Sequence, residues 1–558
     1  MKTHTPAFKE ALLIYSTLLA VTFVAYFFWF NKFGLYEDDF VFISRSVNAD
    51  FSEFLRSLKW IFTDNPEGRI IGFLLPHMSA YALYNIAGIP AIYLFGWIIV
   101  STNGFLLFQL MKKIFPSLLA LFVSFFFILS PADTTKGYLT HIYQLQLSVT
   151  FLLVGLHLYL KKKYIASHIV AACSLITYEI AFLPFFFAPA MENIQWRGRN
   201  YLLRQIKHAV TFTLIVLAVV MWRKFTHEAR VEMLVPSDVV LKTIKAFFIG
   251  PAVAVYTYLH AIVEAWGNSE ISVFFILPSF AFFALFFSFY FKIFTFRNAS
   301  APASFGQELN IPLKAILLGG VMLVFSYLFA APASHYPPDA LAGRGTSVHL
   351  SASISSAILM GGIFYSLYCI FARYRLRTIF IFLISLLYSS YVGYGGIIQK
   401  DFARSWSLQK DFWNQVAQLC PDMGDGTNII VERKDLPETK YILSHSWADP
   451  IILELLFRFP QTWSSLPRLI TIDGSLDEDI SLEDGRFYFK TPFPWLFSGK
   501  KIIELLPENT IYLQAENGTL SRKNNNLIIH RTLFTPKTAG KGTRDFQKEN
   551  MYHCMFQK

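Results

Sequence analysis

Long uninterrupted apolar runs are the feature of this sequence that most restricts its fold. A helix needs about 20 mostly apolar residues to cross the hydrocarbon core of a bilayer. Runs of about this length predict membrane spans at residues 11–30, 89–111, 114–131, 142–160, 205–222, 271–294, 313–331, 351–371 and 378–398. The bilayer is therefore the solvent for most of the chain.

The composition agrees with this interpretation. Charged residues make up 16% of the chain, whereas soluble domains average about 25%. The net charge of +11 would fit a nucleic-acid-binding protein if the basic residues formed one patch. They lie instead in short groups at the ends of apolar runs, which is typical of charges that orient membrane proteins. Both a soluble enzyme and a nucleic-acid-binding protein are therefore excluded.

Two apolar stretches are each consistent with more than one topology. Residues 70–87 form either a span or an interfacial segment, and residues 164–190 form either one long span or a re-entrant hairpin broken near Glu179 and Pro184. The interfacial segment and the hairpin together bring every basic cluster between spans to the cytoplasmic side, as the positive-inside rule requires. This topology places three regions on the outer side: 31–69, 332–350 and everything after residue 400. Within the polar loop 223–270, residues 242–264 are predicted to lie on the membrane surface.

The C-terminal region has the composition of a globular domain. Short alternating runs at Thr427–Glu432, Arg486–Lys490 and Thr510–Gln514 predict strands, and residues 450–459 predict a short helix. The predicted fold is a polytopic α-helical membrane protein with about 9–12 membrane helices. Its transmembrane domain comprises residues 1–399, including the outer loop 31–69, and a soluble α+β or β-rich extracytoplasmic domain comprises residues 400–558.

An acidic motif, Tyr36-Glu37-Asp38-Asp39-Phe40, follows the first predicted span. Acidic residues contribute little to membrane orientation. Closely spaced carboxylates can raise one another's pKa, hold a cation, or act as a general base on a hydroxyl. The alternative is a solvated loop without catalytic function.

An amphipathic helix is predicted directly after this motif, at residues 48–63. Its apolar positions recur at helical spacing on one face, which suits a helix lying in the membrane interface. These positions are Phe51, Phe54, Leu55, Leu58, Ile61 and Phe62. Gly68 and Arg69 then precede the apolar stretch 70–87.

The order of span, acidic pair, interfacial helix and second apolar stretch resembles the GT-C class of membrane glycosyltransferases. That class includes protein mannosyltransferases and the aminoarabinose transferases of lipid A. Its first outer loop carries an acidic pair, of which one carboxylate serves as the catalytic base or helps to bind a metal. The resemblance implies that Asp38 and Asp39 are the catalytic pair. The segment Ile176-Thr177-Tyr178-Glu179 is similar to an (S/T)-(Y/K)-E segment of many GT-C sequences.

Five further polar residues are candidates for substrate binding. Arg344 lies between glycines in an outer loop, where its guanidinium either forks onto a lipid phosphate or anchors the chain at the interface. His141 and Gln144, three positions apart, either face one groove or form a structural pair. Glu179 is costly to bury in a membrane without a partner. Arg69 could support Arg344 at a leaving phosphate.

The expected function is an inverting transfer of a sugar from a polyprenyl-phosphate-linked donor to a glycan, lipid or protein acceptor on the extracytoplasmic side. A lipid-linked-glycan flippase or transporter is an alternative, but two related halves are not found. A polysaccharide polymerase or ligase is another, but its long outer loop between late spans is absent. The sequence contains no CxxC, HExxH or P-loop motif, and a divalent metal as cofactor is left open.

The predicted topology can be tested by labelling single cysteines at positions 45, 162, 375 and 450 in a cysteine-free background. We expect an impermeant reagent added from outside to label 45 and 450 and to leave 162 and 375 unlabelled, because the basic clusters stay in the cytoplasm. Labelling of 45 and 450 from opposite sides would contradict the topology.

Overall fold

The structure is a computed structural model that describes residues 6–47, 49–63, 68–226, 236–295, 305–329, 337–491, 501–539, 547–548 and 555. Helices dominate it up to residue 419, and strands appear only after that point of the described chain. The α-helices are α1 (Pro6–Thr22), α2 (Asp39–Phe42), α3 (Phe51–Thr63), α4 (Ile70–Lys112), α5 (Ser117–Ile128), α6 (Leu139–His141), α7 (Leu147–Leu160), α8 (Tyr164–Thr177), α9 (Glu179–Phe182), α10 (Ala188–Glu192), α11 (Arg199–Phe225), α12 (Pro236–Gly267), α13 (Ser269–Ile271), α14 (Leu277–Tyr290), α15 (Phe305–Phe325), α16 (Leu350–Arg373), α17 (Arg377–Leu419), α18 (Asp449–Leu456) and α19 (Leu476–Asp479).

The strands are β1 (Asn428–Glu432), β2 (Phe457–Arg458), β3 (Arg468–Ile472), β4 (Ile480–Glu483), β5 (Arg486–Lys490), β6 (Ile502–Leu505), β7 (Thr510–Glu516), β8 (Thr519–Arg522), β9 (Leu527–Ile529), β10 (Thr532–Phe534) and β11 (Gln547–Lys548). Short π-helical or 3-10 turns continue several helices, at Phe23–Phe27, Phe30–Lys32, Ser44–Ser46, Ile142–Gln146, Leu183–Phe187, Ser272–Ile276, Phe291–Thr295, Arg344–His349 and Pro507–Asn509.

Within the described residues, eight helical stretches are long and apolar enough to cross a membrane. They are Phe8–Lys32, Ile70–Lys112, Leu139–Leu160, Arg199–Phe225, Val240–Gly267, Ser269–Ile293, Arg344–Arg373 and Arg377–Leu419. Three shorter apolar helices accompany them, at Ser117–Ile128, Tyr164–Thr177 and Leu309–Phe325. The prediction of a multi-pass helical membrane protein is confirmed at this level.

A kink within α4 separates the stretch 70–87 from the predicted span 89–111. Ala87 (φ −154°, ψ 31°) and Gly88 (φ 68°, ψ −159°) leave the helical region, and glycine adopts such a positive φ without steric cost. The first half of α4 packs against the predicted amphipathic helix, observed as α3, where the rings of Phe54 and Tyr81 stack 4.2 Å apart. The position of this half at the membrane interface stays a prediction.

The stretch 164–190 turns back on itself, as predicted. Helix α8 ends at Thr177 because Tyr178 is extended (φ −159°, ψ 114°), and a 3-10 turn containing Pro184 separates α9 from α10. The Tyr164 hydroxyl at the start of α8 donates a hydrogen bond to Glu192 Oε1 at the end of α10, at 3.0 Å. The two ends of the hairpin therefore lie side by side, which confirms the predicted reversal of the chain. The position of the hairpin in the membrane stays a prediction.

Residues 242–264, predicted to lie on the membrane surface, belong to a helical stretch that is long and apolar enough to cross a membrane, Val240–Gly267. The segment belongs to α12, which buries Ala246 and Ala254 in one cluster with Tyr327 and Ala352. Gly250 lies so close to the Tyr327 ring that an added Cβ would be 2.4 Å from its Cε1. Small side chains on one face let a helix approach its neighbours closely, and so α12 joins the helix bundle.

The chain divides into two compact units that differ from the predicted domains. Unit 1 comprises Met1–Asn31 and Phe51–Lys400, and unit 2 comprises Lys32–Asp50 and Asp401–Lys558. The segment that carries the acidic motif therefore belongs to the same unit as the C-terminal region. The sequence had assigned it to the transmembrane domain.

Unit 2 has a mixed α/β core. Strands β3, β1 and β7 are parallel neighbours in a four-stranded sheet of order β3-β1-β7-β8, and β8 pairs antiparallel with β7. A second, antiparallel sheet has the order β4-β5-β6. Both sheets contribute to one apolar core, which includes Ile430, Ile470, Phe487 and Ile503. The predicted strands around residues 427–432, 486–490 and 510–514 are confirmed as β1, β5 and β7.

Candidate functional site

A buried ion pair in unit 1 joins two of the predicted binding residues. Arg69 Nε donates to Glu179 Oε2 at 3.0 Å, and Arg69 Nη2 donates to Glu179 Oε1, so the guanidinium forks onto the carboxylate. The same guanidinium lies 4.4 Å above the centre of the Tyr178 ring. Gly72 permits the close approach of α4, because an added Cβ there would be 2.5 Å from the carbonyl oxygen of Thr177.

A second arginine shares this carboxylate. Arg223 Nη2, near the end of α11, donates to Glu179 Oε2 at 3.2 Å. The side chains of Arg69, Glu179 and Arg223 are only 7%, 14% and 9% exposed, so their charges are largely removed from solvent. One carboxylate therefore binds two buried guanidinium groups.

Arg223 was not among the predicted site residues. An arginine at the end of an apolar helix has the pattern of an orientation charge that extends toward the headgroups. The signal that could have identified it was Glu179 itself, since a buried carboxylate in a membrane protein requires a cationic or hydrogen-bonding partner.

His141 and Gln144 lie one turn apart at the junction of α6 and the following π-turn, and both are 5% exposed. Among the described residues, His141 Nδ1 and Gln144 Nε2 have no hydrogen-bond partner although both atoms are buried. Buried polar atoms without a partner are rare and cost free energy. The charges of Arg344 and Arg69 both act on the His141 ring. The structure therefore gathers the five predicted binding residues in one region of unit 1.

The turn that precedes His141 is tied to the segment that carries Arg344. Thr134 N donates to Thr346 Oγ1 at 3.2 Å, and the two threonine hydroxyls are 3.0 Å apart. Gly343 adopts a positive φ of 75°, which reverses the chain just before Arg344 begins a 3-10 turn. These contacts hold half-buried Arg344 near His141.

Asp133 and Lys136 shape the same turn. Asp133 Oδ1 accepts hydrogen bonds from Thr135 N at 3.0 Å and from Thr135 Oγ1 at 2.7 Å. Lys136 Nζ donates to the carbonyl oxygen of Ser130 at 2.6 Å. Burial lowers the pKa of Lys136 to about 8, against the opposing effect of the Asp133 charge. Both side chains thus serve to hold the turn.

The acidic motif lies in unit 2, where its two aspartates differ in exposure. Asp39 is fully buried, and its Oδ2 accepts a hydrogen bond from Tyr36 N at 3.1 Å. Asp38 is half-exposed. Burial raises the pKa of Tyr36 well above its usual value, and its hydroxyl donates to the carbonyl oxygen of Phe402 at 2.8 Å. Asp39 therefore stabilises the turn, and Asp38 is the more exposed aspartate of the pair.

Glu37, which the sequence analysis did not select, is also buried and structural. It has φ +40°, and its Oε1 accepts a hydrogen bond from Leu443 N at 3.2 Å. No sequence pattern predicts this contact, because Leu443 is 406 positions away. Across the part of the chain that the structure describes, no group of three or more His, Cys, Asp or Glu side chains could hold a metal ion.

The shared carboxylate can be tested by comparing Glu179→Ala with Arg223→Met. Glu179→Ala leaves two buried guanidinium groups without their carboxylate, and we expect it to lower the free energy of unfolding by about 3–5 kcal/mol. Arg223→Met should cost less, because the Arg69–Glu179 fork remains. Thermal unfolding in detergent measures both variants. An equal loss in the two variants would contradict the shared arrangement.

Comparison with known proteins gives no match for this chain: no protein-family model, curated protein or solved structure matches it. Its function is therefore inferred from its own residues.

Proposed function

We propose that this protein is a membrane glycosyltransferase that moves a sugar from a polyprenyl-phosphate-linked donor to an acceptor on the extracytoplasmic side. The observation that carries the proposal is the pair of buried atoms His141 Nδ1 and Gln144 Nε2, which have no partner within the described residues. The positive charges of Arg69 and Arg344 both act on the His141 ring. Gln144 Nε2 carries N–H donors, and His141 Nδ1 carries one in the tautomer that is protonated at this nitrogen. Such donors beside cations suit an anion with several acceptor oxygens, and a phosphate group has this chemistry.

The two arginines have different parts in this proposal. The fork of Arg69 is occupied by Glu179, so Arg69 contributes its charge and no direct contact to the phosphate. Arg344 is the guanidinium that forks onto the phosphate oxygens. As the bond between sugar and phosphate breaks, negative charge grows on the phosphate. Preorganised cations and N–H donors then stabilise the transition state more than the ground state.

Asp38 is the proposed general base. The acceptor hydroxyl attacks the anomeric carbon of the sugar while the bond from that carbon to the phosphate oxygen breaks. The hydroxyl proton passes to the Asp38 carboxylate, and polyprenyl phosphate leaves with the bonding electrons. A single displacement of this kind inverts the configuration at the anomeric carbon. Asp39 supports this role by holding the turn through Tyr36 N.

The rival function, a flippase or transporter, depends on Glu179 as part of a polar path. The fork from Arg69 and the bond from Arg223 occupy both oxygens of that carboxylate. A carboxylate fixed between two guanidinium groups is better suited to holding helices together than to passing a polar cargo. This favours the transferase.

Comparing Asp38→Asn with Asp39→Asn tests the base. We expect Asp38→Asn to lower kcat by about 100- to 10,000-fold, because the amide cannot accept the proton. Asp39→Asn should cost less, because its amide oxygen can still accept from Tyr36 N. The measurement is transfer of labelled sugar by purified, folded protein, with donor binding measured in parallel. Parent-like turnover in Asp38→Asn would exclude Asp38 as the base.

Comparing Arg344→Lys with the control Arg56→Lys tests the phosphate contact. Lysine keeps the charge of Arg344 and loses its two-pronged geometry. We expect the Kd for the donor to rise about tenfold or more, since hydrogen bonds to charged groups contribute about 1.5–3 kcal/mol. Arg56 is exposed on α3, and its substitution should leave the Kd unchanged. Equal donor affinity in Arg344→Lys and Arg56→Lys would show that Arg344 only anchors the chain at the interface.

A further inference from the structure

Glu37 adopts a backbone conformation that a residue with a side chain rarely takes. Its φ of +40° lies in the left-handed region, where the Cβ atom crowds the backbone. Such conformations persist only where surrounding contacts hold them, and they are concentrated at functional sites. Glu37 directly precedes the candidate base Asp38.

The contact that holds Glu37 comes from a distant part of unit 2. Its side chain is 3% exposed, and Oε1 accepts the backbone hydrogen bond from Leu443 at 3.2 Å. Leu443 belongs to residues 438–449, which we call the clamp loop. The Glu37 carboxylate thus links the acidic motif to the C-terminal region of unit 2 by a hydrogen bond.

The clamp loop offers a fixed attachment point, because its backbone is held on both sides of Leu443 N. Tyr441 N donates to Asp401 Oδ2 at 2.6 Å, and the carbonyl oxygen of Leu443 accepts from Ser405 Oγ at 3.3 Å. Ser444 N donates to Glu438 Oε2 at 3.2 Å. The position of Leu443 N is therefore also fixed by contacts other than the one with Glu37.

The residues that precede Glu37 are held by contacts that do not involve Leu443. Gly34 N donates to the Tyr36 hydroxyl at 3.1 Å. Gly34 packs so closely against the Trp406 ring that an added Cβ would lie 1.9 Å from its Cδ2. Asp39, which follows Asp38, accepts a hydrogen bond at Oδ2 from Tyr36 N. Asp38 therefore lies between two neighbours that are each fixed by hydrogen bonds.

We propose that Glu37 is a positioning residue for Asp38, and this inference rests on the proposed function. The bond from Leu443 N to Glu37 maintains the left-handed turn, and the turn keeps the Asp38 carboxylate at the surface while Asp39 stays buried. Catalytic groups require this kind of support, because a displacement of about 1 Å can cost about 100-fold in rate. The C-terminal region thereby contributes to catalysis through the clamp loop without touching the substrate.

The test compares Glu37→Ala, Glu37→Gln and Glu37→Gly in the full chain, with Glu483→Ala as a control on an exposed position of β4. Two measurements are made on folded protein: amide hydrogen exchange in peptides that contain Leu443, and kcat, KM and donor Kd for sugar transfer. Glu37→Gln keeps an oxygen acceptor for Leu443 N, whereas Glu37→Ala removes it. Glu37→Gly removes the acceptor and also relieves the left-handed strain.

We expect exchange at Leu443 to rise about three- to tenfold in the Ala and Gly variants, as for a lost hydrogen bond. In both variants kcat should fall by up to about 100-fold with donor Kd unchanged. The Gln variant should restore both readouts, and Glu483→Ala should match the parent.

Three results would overturn the inference. Parent-like exchange in Glu37→Ala would show that the contact does not hold the clamp loop. A parent-like kcat in Glu37→Ala with raised exchange would make the contact merely structural. A parent-like kcat in Glu37→Gly, with a lowered kcat in Glu37→Ala, would show that the left-handed backbone supports catalysis without the hydrogen bond from Leu443 N. If the parent transfers no sugar, the proposed function fails together with the positioning role, whereas the exchange result alone decides whether the contact exists.

Discussion

The carboxylate of Glu179, shared between Arg69 and Arg223, is the interaction on which the polar region of unit 1 depends. An isolated charge in a low-dielectric interior costs several kcal/mol, so each of these groups must find its partner for the helices to pack. The pair with Arg69 joins the start of α4 to the break between α8 and α9. The bond from Arg223 adds the end of α11. Three separate elements are thereby held by one carboxylate.

The region around this carboxylate also contains buried polar atoms. Among the described residues, His141 Nδ1 and Gln144 Nε2 have no hydrogen-bond partner, and the charges of Arg69 and Arg344 act on the His141 ring. The cost of burying polar atoms without partners is recovered when an anion with several oxygens enters. The proposed lipid phosphate fits this requirement.

The three consecutive carboxylates of the acidic motif illustrate how burial assigns different functions to chemically similar neighbours. Glu37 accepts a hydrogen bond from Leu443 N, Asp39 accepts one within its own turn, and Asp38 is partly exposed. Alternation along an extended loop would already direct adjacent residues to opposite sides. In the inference drawn above, the left-handed turn at Glu37 determines which aspartate is exposed, and the contact with Leu443 maintains that turn. A solvated loop would not bury two of its three carboxylates.

The sequence by itself determined that this is a multi-pass helical membrane protein with a strand-containing C-terminal region, including the hairpin broken near Glu179. Hydropathy and strand periodicity are local properties, and a chain in lipid must satisfy its backbone hydrogen bonds within each helix. Only the tertiary structure decided that Arg223 pairs with Glu179, that Glu37 reaches Leu443, and that residues 242–264 enter the helix bundle. The physical reason is that the partners of buried charges, hydrogen bonds and small-residue faces come from segments far apart in the chain, and residue spacing does not specify which segments meet.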